Sequence, residues 1–211
     1  MKKKYKAVLF DFDGVIGKTM EDNYKAWNYA FSKYGIEIDK TEYFLLEGMS
    51  VEKIAEHFLR QNSKNLNLVS KIVKLKEKSY IQNNKFSLYP GVKHLIPKLK
   101  KNGYLLGLVS GGIFERIKKS LKKFLKFFDV VITGDKIKKC KPNPIPYLTA
   151  VKKLKVEPSR CLVVENAPLG IESAKRAGIY CIAVCSTLNK KYLKKADKII
   201  NNLVELKYVL E

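Results

Sequence analysis

The sequence predicts an α/β protein built on a doubly wound parallel sheet, with an all-helical region inserted after the first strand. Short segments that are apolar throughout alternate with helical segments, which is typical of parallel strands covered on both faces. Residues 16–86 have helical periodicity and no convincing strand. We therefore expect two domains in the 211-residue chain, a core of 1–15 and 87–211 and a helical cap of 16–86.

The predicted strands are the short apolar runs, at residues 7–10, 105–109, 130–132, 161–164, 181–184 and 198–200. Helical segments separate the later runs and lie at about 92–99, 113–124, 144–154 and 169–177, before a final helix. Pro97 falls inside the first of these helices and is expected to kink or restart it, because proline has no N–H to donate.

The inserted region is predicted to contain three main helical stretches. The first has an apolar face over residues 27–34, where apolar side chains recur at helical spacing. After a shorter apolar segment, Ser50 is the expected N-cap of a second helix whose apolar face covers 51–58. The last stretch runs from about 66 to 81.

The net charge of +22 suggests nucleic-acid binding, because a basic surface attracts any polyanion. Nearly all the cations are lysines scattered over predicted helix surfaces, and no zinc finger, RNA-recognition aromatic pair or helix-turn-helix is recognisable. We therefore expect no specific nucleic-acid binding. A basic nucleic-acid-binding protein stays as the non-enzymatic alternative.

The sequence also lacks the signals of membrane insertion and secretion. No apolar run approaches the ~20 residues of a membrane helix, and the lysine-rich start reaches Asp11 too early for a signal peptide. We expect a cytoplasmic protein without membrane contact. Cys161 and Cys181 begin apolar runs, and they are expected to be buried thiols.

The first apolar run ends in Asp11-Phe12-Asp13-Gly14. Ligands of doubly wound sheets bind beyond the carboxyl ends of the strands, and residues i and i+2 of an extended chain face the same side. We therefore expect Asp11 and Asp13 to point together into that crevice. Such close carboxylates favour a hard cation such as Mg²⁺, which prefers oxygen ligands. An acidic surface turn is the alternative.

Three further strand ends carry polar groups. The second predicted strand is followed by Ser110 and by two glycines from Gly111, which offer a hydroxyl and approachable backbone N–H groups. The loop after the third contains Lys141, which could balance carboxylates and a phosphate; one more surface lysine is the alternative. The fourth is followed by Glu165 and Asn166, two further oxygen ligands. We expect these groups to meet in one crevice.

With these motifs, the sequence resembles the haloacid dehalogenase superfamily, in particular its phosphatase and β-phosphoglucomutase-like branch with a helical C1 cap. The resemblance covers essentially the whole chain and rests on DFDGV at 11–15, VSGG at 109–112, CKPNP at 140–144 and VVENAPLGIESAKRAGI at 163–179. It implies a Rossmann-like core and Mg²⁺-dependent removal of phosphate from a small phosphorylated metabolite through an aspartyl-phosphate.

The resemblance implies a role for each matching residue. Asp11 would be the nucleophile, and Asp13 would act as general acid and then as general base. Ser110, the amide of Gly111 and Lys141 would hold the transferring phosphoryl group.

The resemblance also implies a metal site. Mg²⁺ would bind the carboxylate of Asp11, the carbonyl of Asp13 and the loop formed by Glu165 and Asn166. The family usually has aspartate where this chain has Asn166, so an oxygen ligand is kept and a charge is lost. The presence of both Asp11 and Asp13 argues against dehalogenase chemistry.

Three residues of the inserted region are candidates for substrate contact: Thr19, Asn23 and Glu47. Similar sugar-phosphate mutases carry a histidine where this chain has Asn23, and a mutase is the second enzymatic alternative. Glu47 would repel phosphate unless a metal lay between them, which would favour pyrophosphate; a solvated loop glutamate is the simpler interpretation. We expect a monomer or a weak homodimer.

Overall fold

The computed structural model, which describes residues 4–210, contains six strands in one sheet. The strands are β1 (Ala7–Phe10), β2 (Leu105–Ser110), β3 (Val130–Thr133), β4 (Cys161–Glu165), β5 (Tyr180–Val184) and β6 (Lys198–Ile200). All neighbours pair in parallel, in the order β3-β2-β1-β4-β5-β6. The predicted doubly wound sheet is therefore confirmed, and the carboxyl ends of all its strands lie along one edge.

Nine α-helices accompany this sheet within residues 4–210. They are α1 (Met20–Ser32), α2 (Lys40–Leu45), α3 (Val51–Gln61), α4 (Val69–Asn83), α5 (Val92–Lys101), α6 (Phe114–Leu121), α7 (Ile145–Leu154), α8 (Pro168–Arg176) and α9 (Lys207–Leu210). The first four fill the inserted region, whose helical character was predicted, although α2 was expected only as a shorter apolar segment. Ser50 caps α3 by accepting a hydrogen bond from the backbone N–H of Lys53, also as predicted.

Three helices differ in extent from the prediction. Helix α1 ends at Ser32, so Tyr34 lies in the following turn. Helix α5 continues through Pro97, and the expected restart does not occur; the carbonyl left without a donor belongs to the exposed Lys93, where water can satisfy it. Helix α6 ends at Leu121, because the positive φ of +46° at Lys122 takes the chain out of the helical conformation.

Alternate residues of β1 enter two hydrophobic cores, one on each face of the sheet. Ala7 and Leu9 belong to one core, Val8 and Phe10 to the other, and all four are fully buried. The first core also contains Trp27 and other apolar residues of the inserted helices. Burial on both faces explains why the strand is apolar throughout.

The chain leaves and re-enters the sheet region through two neighbouring segments. The N–H of Lys18 donates to the carbonyl of Ser87 over 2.8 Å, and the N–H of Tyr89 donates to the carbonyl of Ile16 over 3.0 Å. The predicted domain boundaries at 15/16 and 86/87 lie beside these bonds and remain a prediction. Their outer limits, residues 1 and 211, lie outside the described residues, as do the first two lysines of the lysine-rich start.

None of the described helices combines the length and apolar composition needed to cross a membrane. The predicted burial of Cys161 and Cys181 is confirmed, and both side chains belong to the first hydrophobic core.

Candidate active site

Asp11 lies directly beyond β1, where its backbone N–H donates to the carbonyl of Val164 over 3.0 Å. Its carboxylate is buried, and the ammonium of Lys141 donates to Oδ1 over 2.6 Å. The second oxygen, Oδ2, is buried without a hydrogen-bond partner among the described residues. Burial raises the pKa of this carboxyl well above its ordinary value, and Lys141 opposes that effect. Oδ2 is thus an acceptor in need of a cation or an electrophile.

Lys141 is the fixed cation of this cluster. Its ammonium donates to Asp11, to Glu165 Oε1 over 2.5 Å and to the carbonyl of Val109 over 3.2 Å. Although burial disfavours the charged form, the two carboxylates raise the pKa of Lys141 above its ordinary value. Lys141 is therefore stabilised in its charged form, and because it is buried it is not one more surface lysine.

Glu165 holds Lys141 from the opposite side. Its Oε1 accepts a second hydrogen bond from the hydroxyl of Tyr147 over 2.7 Å, and its Oε2 accepts from the N–H of Asn166 over 3.0 Å. A Cβ atom at Gly170 would lie only 1.9 Å from Glu165 Oε1. The small residue in α8 is therefore needed to leave room for this carboxylate.

Asn166 supplies the second unpartnered oxygen of the site. Its Nδ2 donates to Thr187 Oγ1 over 3.0 Å, while its Oδ1 is buried without a partner among residues 4–210. No group of three or more His, Cys, Asp and Glu side chains suitable for a metal occurs in the described chain. A metal here would therefore depend on the Asp11 carboxylate, the free oxygen of Asn166 and a backbone carbonyl, all of which are hard donors that fit Mg²⁺.

The end of β2 and the loop that follows it also line the site. Ser110 is buried, and its hydroxyl oxygen accepts from the N–H of Gly112 over 3.0 Å. A Cβ at Gly111 would lie 3.1 Å from the carbonyl of Gly48, which belongs to the inserted region. Ser110, Gly111, Gly48 and Lys141 line one small cavity. The predicted phosphate-binding groups therefore lie together.

Asp13 belongs to a separate cluster that faces the inserted helices. Its Oδ1 accepts from Thr19 Oγ1 over 2.5 Å and from Asn23 Nδ2 over 3.3 Å. Arg116 binds both carboxylate oxygens, over 3.1 and 2.8 Å. Burial alone would raise the pKa of Asp13, but Arg116 and Thr19 lower it below its ordinary value. Asp13 is therefore held as a carboxylate.

Sequence reasoning missed Arg116 as a site residue. It lies in α6, and its guanidinium also donates to Asn23 Oδ1 over 3.4 Å and lies 5.2 Å from the centre of the Tyr80 ring. The chain has only four arginines among 42 basic residues. Arg116 lies in the helix that follows β2, and the end of β2 carries predicted site residues. This position was the signal that could have identified Arg116, since arginine alone offers a planar bidentate donor.

Lys76 was missed as well. It is fully buried in α4, where its ammonium donates to Glu77 Oε1 over 2.8 Å and lies 5.5 Å from the centre of the Trp27 ring. It shares the buried face of α4 with Ile72 and Tyr80, at intervals of four residues. A lysine on an apolar helical face was the available signal.

The inserted region closes over Asp13. A cavity of about 20 Å³, room for about one water molecule, lies there. Its lining includes Asp13, Asn23, Glu47, Lys76 and Arg116. All the residues predicted for the site thus lie around the strand ends, where their individual roles remain predictions.

The comparison with known families identifies the chain. The family described as haloacid dehalogenase-like hydrolase matches residues 8–184. The chain therefore belongs to this family, as its motifs predicted.

Individual relatives agree with this assignment. Validoxylamine A 7'-phosphate phosphatase of Streptomyces hygroscopicus subsp. limoneus is 30% identical over 97% of each chain. Beta-phosphoglucomutase of Bacillus subtilis is 29% identical over 85% of this chain and 83% of its own length. The solved structure of a putative beta-phosphoglucomutase from Bacteroides vulgatus has a TM-score of 0.87 at 27% identity, over 100% of this chain and 92% of that chain.

The protein is an enzyme, a phosphatase of the haloacid dehalogenase family, and it acts on phosphorylated substrates. The predicted class of enzyme is confirmed, and the non-enzymatic alternative is set aside.

Proposed function

We propose that the protein removes phosphate from a small phosphorylated metabolite through a covalent phosphate on Asp11, with Mg²⁺ as cofactor. One observation carries the proposal. The Asp11 carboxylate is fixed through Oδ1 by Lys141, while Oδ2 is buried and free of hydrogen bonds within the described chain. An oxygen held in this way is oriented for attack and is not masked by a donor.

In the first step, Asp11 Oδ2 forms a bond to phosphorus as the bond to the leaving oxygen breaks. Asp13 gives its proton to that oxygen, which leaves as an alcohol. In the second step Asp13 takes a proton from water, the resulting hydroxide attacks phosphorus, and the Asp11–phosphate bond breaks. Atoms and charge balance, and both aspartates return to their starting states.

Arg116 limits when Asp13 can act as an acid in these two reaction steps. Its two bonds to Asp13 stabilise the carboxylate, which is the form needed as a base in the second step. The first step requires a protonated Asp13, so Asp13 must give up these bonds and take a proton from solvent before the leaving group departs. A cavity of about 20 Å³ is also too small for a phosphorylated metabolite, so the inserted helices must move for substrate to bind there.

Ser110, the Gly111 amide and Lys141 would surround the phosphoryl oxygens, because they line one cavity next to Asp11. Mg²⁺ would be held by Asn166 Oδ1, by the Asp13 carbonyl and by the Asp11 carboxylate through the oxygen that does not attack phosphorus, and when bound it would neutralise phosphate charge beside the nucleophile. Both Glu165 oxygens already accept hydrogen bonds, so we assign Glu165 to positioning Lys141.

Hydrolysis is favoured over the mutase alternative by the surroundings of Asp13. Asn23, in the position where the resemblance to mutases expects histidine, donates its amide to Asp13. An amide cannot exchange a proton with the substrate in the way that an imidazole can. The 30% identical relative named as a phosphatase also supports hydrolysis.

Phosphate release from a panel of sugar, polyol and carboxylic-acid monophosphates tests the proposal. We expect release with Mg²⁺, little release with EDTA, and a loss of about 10³-fold or more in Asp11→Asn, which removes the nucleophile. Calorimetric titration of Mg²⁺ gives a readout besides activity, and Asn166→Asp should bind Mg²⁺ about tenfold more tightly because it restores a charge. Undiminished release in EDTA, or by Asp11→Asn, would contradict the mechanism.

A further inference from the structure

Glu47 occupies a defined place over the site. It precedes Gly48, where φ is +99° and where a Cβ would lie 2.9 Å from Lys141 Cδ. The carbonyls of Gly48 and Met49 both lie 3.1 Å from the position of a Cβ at Gly111. The loop 47–49 therefore rests directly on the catalytic lysine and on the predicted phosphate loop.

Glu47 also lines the cavity beside Asp13, on the side of the inserted helices. When substrate binds, its phosphate must lie against Asp11 and Lys141. The remainder of the substrate then extends toward this cavity, which is the space between the strand ends and the inserted helices. Glu47 is thus placed to meet the leaving group and not the phosphate.

The charged groups in this region differ in whether they have an ion-pair partner. Arg116 is paired with Asp13 over 2.8 Å, Lys76 with Glu77 over 2.8 Å, and Lys141 with Asp11 over 2.6 Å. Glu47 has no ion pair within residues 4–210, and it accepts one long hydrogen bond, of 3.4 Å, from the hydroxyl of Tyr43. Every cation facing the cavity is therefore already neutralised, and the group that lacks a strong partner is an acid.

The electrostatics agree with this imbalance. Burial raises the pKa of Glu47 to about 7, and the negative charge of Asp13 adds to that effect, while Arg116 and Lys141 oppose it. Hydrogen-bond donors supplied by a ligand would relieve this desolvation. A second anionic group on the ligand would be repelled by the Glu47 carboxylate, as Asp13 already is.

We propose that Glu47 selects the leaving group, and that the substrate is a phosphate monoester whose remainder carries hydroxyl or ammonium donors and no second anion. The inference rests on the proposed hydrolase function and narrows its substrate class. Glu47 accepts hydrogen bonds from the remainder in the closed arrangement. Bisphosphates, phosphorylated acids and pyrophosphate place an anion against it and are rejected.

Three six-carbon phosphates of similar size but different remainder charge test the inference: glucosamine 6-phosphate, glucose 6-phosphate and 6-phosphogluconate. We expect kcat/KM to be highest with the ammonium compound and at least about tenfold lower with the carboxylate compound. Glu47→Gln should remove most of that spread, chiefly by improving turnover of 6-phosphogluconate. The matched control is Glu52→Gln, an exposed acid of α3, which should keep the original order.

Binding separates this inference from the proposed function. The same three compounds are titrated into Asp11→Asn and into Asp11→Asn with Glu47→Gln, so that affinity is measured without turnover. The three compounds could bind with the expected order of affinities while the wild type releases phosphate from none of them. That result would refute the hydrolase function and support the role of Glu47. The inference would be overturned if Glu47→Gln kept the same order of kcat/KM among the three compounds. It would also be overturned if neither Asp11 variant bound any of them.

Discussion

Two buried ion-pair clusters flank the proposed phosphate site, and they are assembled from different parts of the chain. The Lys141 cluster joins Asp11 and Lys141, which lie in loops, to Glu165 at the end of β4, all at the carboxyl edge of the sheet. The Arg116 cluster joins α6 to Asp13, and it is completed by Thr19 and Asn23 at the start of the inserted region. The first cluster is built from residues outside the inserted region, whereas the second is completed by residues of the inserted region.

This difference assigns different tasks to the two aspartates. Asp11 is oriented by a cation that has no contact to lose when the inserted helices move, apart from the packing of Gly48 on its stem. Asp13 is oriented by donors that include residues on those helices. In the proposed mechanism, the nucleophile is therefore oriented independently of the inserted helices, whereas the orientation of the acid–base group depends on them.

The largest effect is expected from Lys141→Met, which breaks the first cluster. Asp11 and Glu165 would remain buried without their counter-ion, which costs about 3–5 kcal/mol of unfolding free energy. Phosphate release should fall by about 10²–10³-fold or more. Urea unfolding and steady-state kinetics measure the two effects.

Lys138→Met, at an exposed lysine of the same loop, is the control and should change stability by less than about 0.5 kcal/mol. Adding Glu165→Gln to Lys141→Met should restore part of the stability, because one unpaired charge is removed. Equal stability of Lys141→Met and the wild type would show that the cluster does not hold its carboxylates as described.

A smaller effect is expected from Arg116→Met in the second cluster. Asp13 would lose its counter-ion but keep the donors Thr19 and Asn23, so the cost at pH 7 should be about 2–3 kcal/mol. The pKa of Asp13 is lowered in the folded protein. The stabilisation by Arg116 is therefore complete above the ordinary carboxyl pKa of about 4 and is lost as pH falls through the lowered folded pKa.

Unfolding measured from pH 7 to pH 3 tests this sign. The difference in stability between the wild type and Arg116→Met should shrink as the solution becomes more acidic. A difference that grows on acidification would mean that Asp13 is not the group stabilised by Arg116.

The smallest effect is expected from Tyr147→Phe, which removes one hydrogen bond from the first cluster and leaves its ion pairs intact. Glu165 Oε1 would lose one donor and keep Lys141, at a cost of about 1 kcal/mol. Activity should fall by no more than about tenfold. A loss of activity as large as that of Lys141→Met would show that Tyr147, and not Lys141, orients the nucleophile.

The strand ends were predictable because one rule governs them. Apolar runs identified the strands, and parallel pairing places every residue that directly follows such a run at the same edge. Asp11, Ser110 and Glu165 could therefore be assigned to one crevice from their sequence positions. Lys141 lies eight residues beyond β3, and it was placed there only through its motif.

Helix interiors were less predictable. Pro97 signals a break that does not occur, because a single missing N–H beside an exposed carbonyl costs less than ending α5 would. Arg116 and Lys76 have the same local signature as many surface cations. Their burial depends on which helix packs over which strand end, and periodicity does not encode that packing.

The parallel sheet, the helical insertion and the row of polar groups at the strand ends follow from the amino-acid pattern, because local periodicity and the direction of parallel strands specify them. Which charges pair is known only from the folded arrangement of the side chains. Lys141 binds Asp11 and Glu165, Arg116 binds Asp13, and Glu47 lacks an ion pair within the described chain. The physical reason is that pairing depends on distances of a few ångströms between side chains that are as many as 130 residues apart.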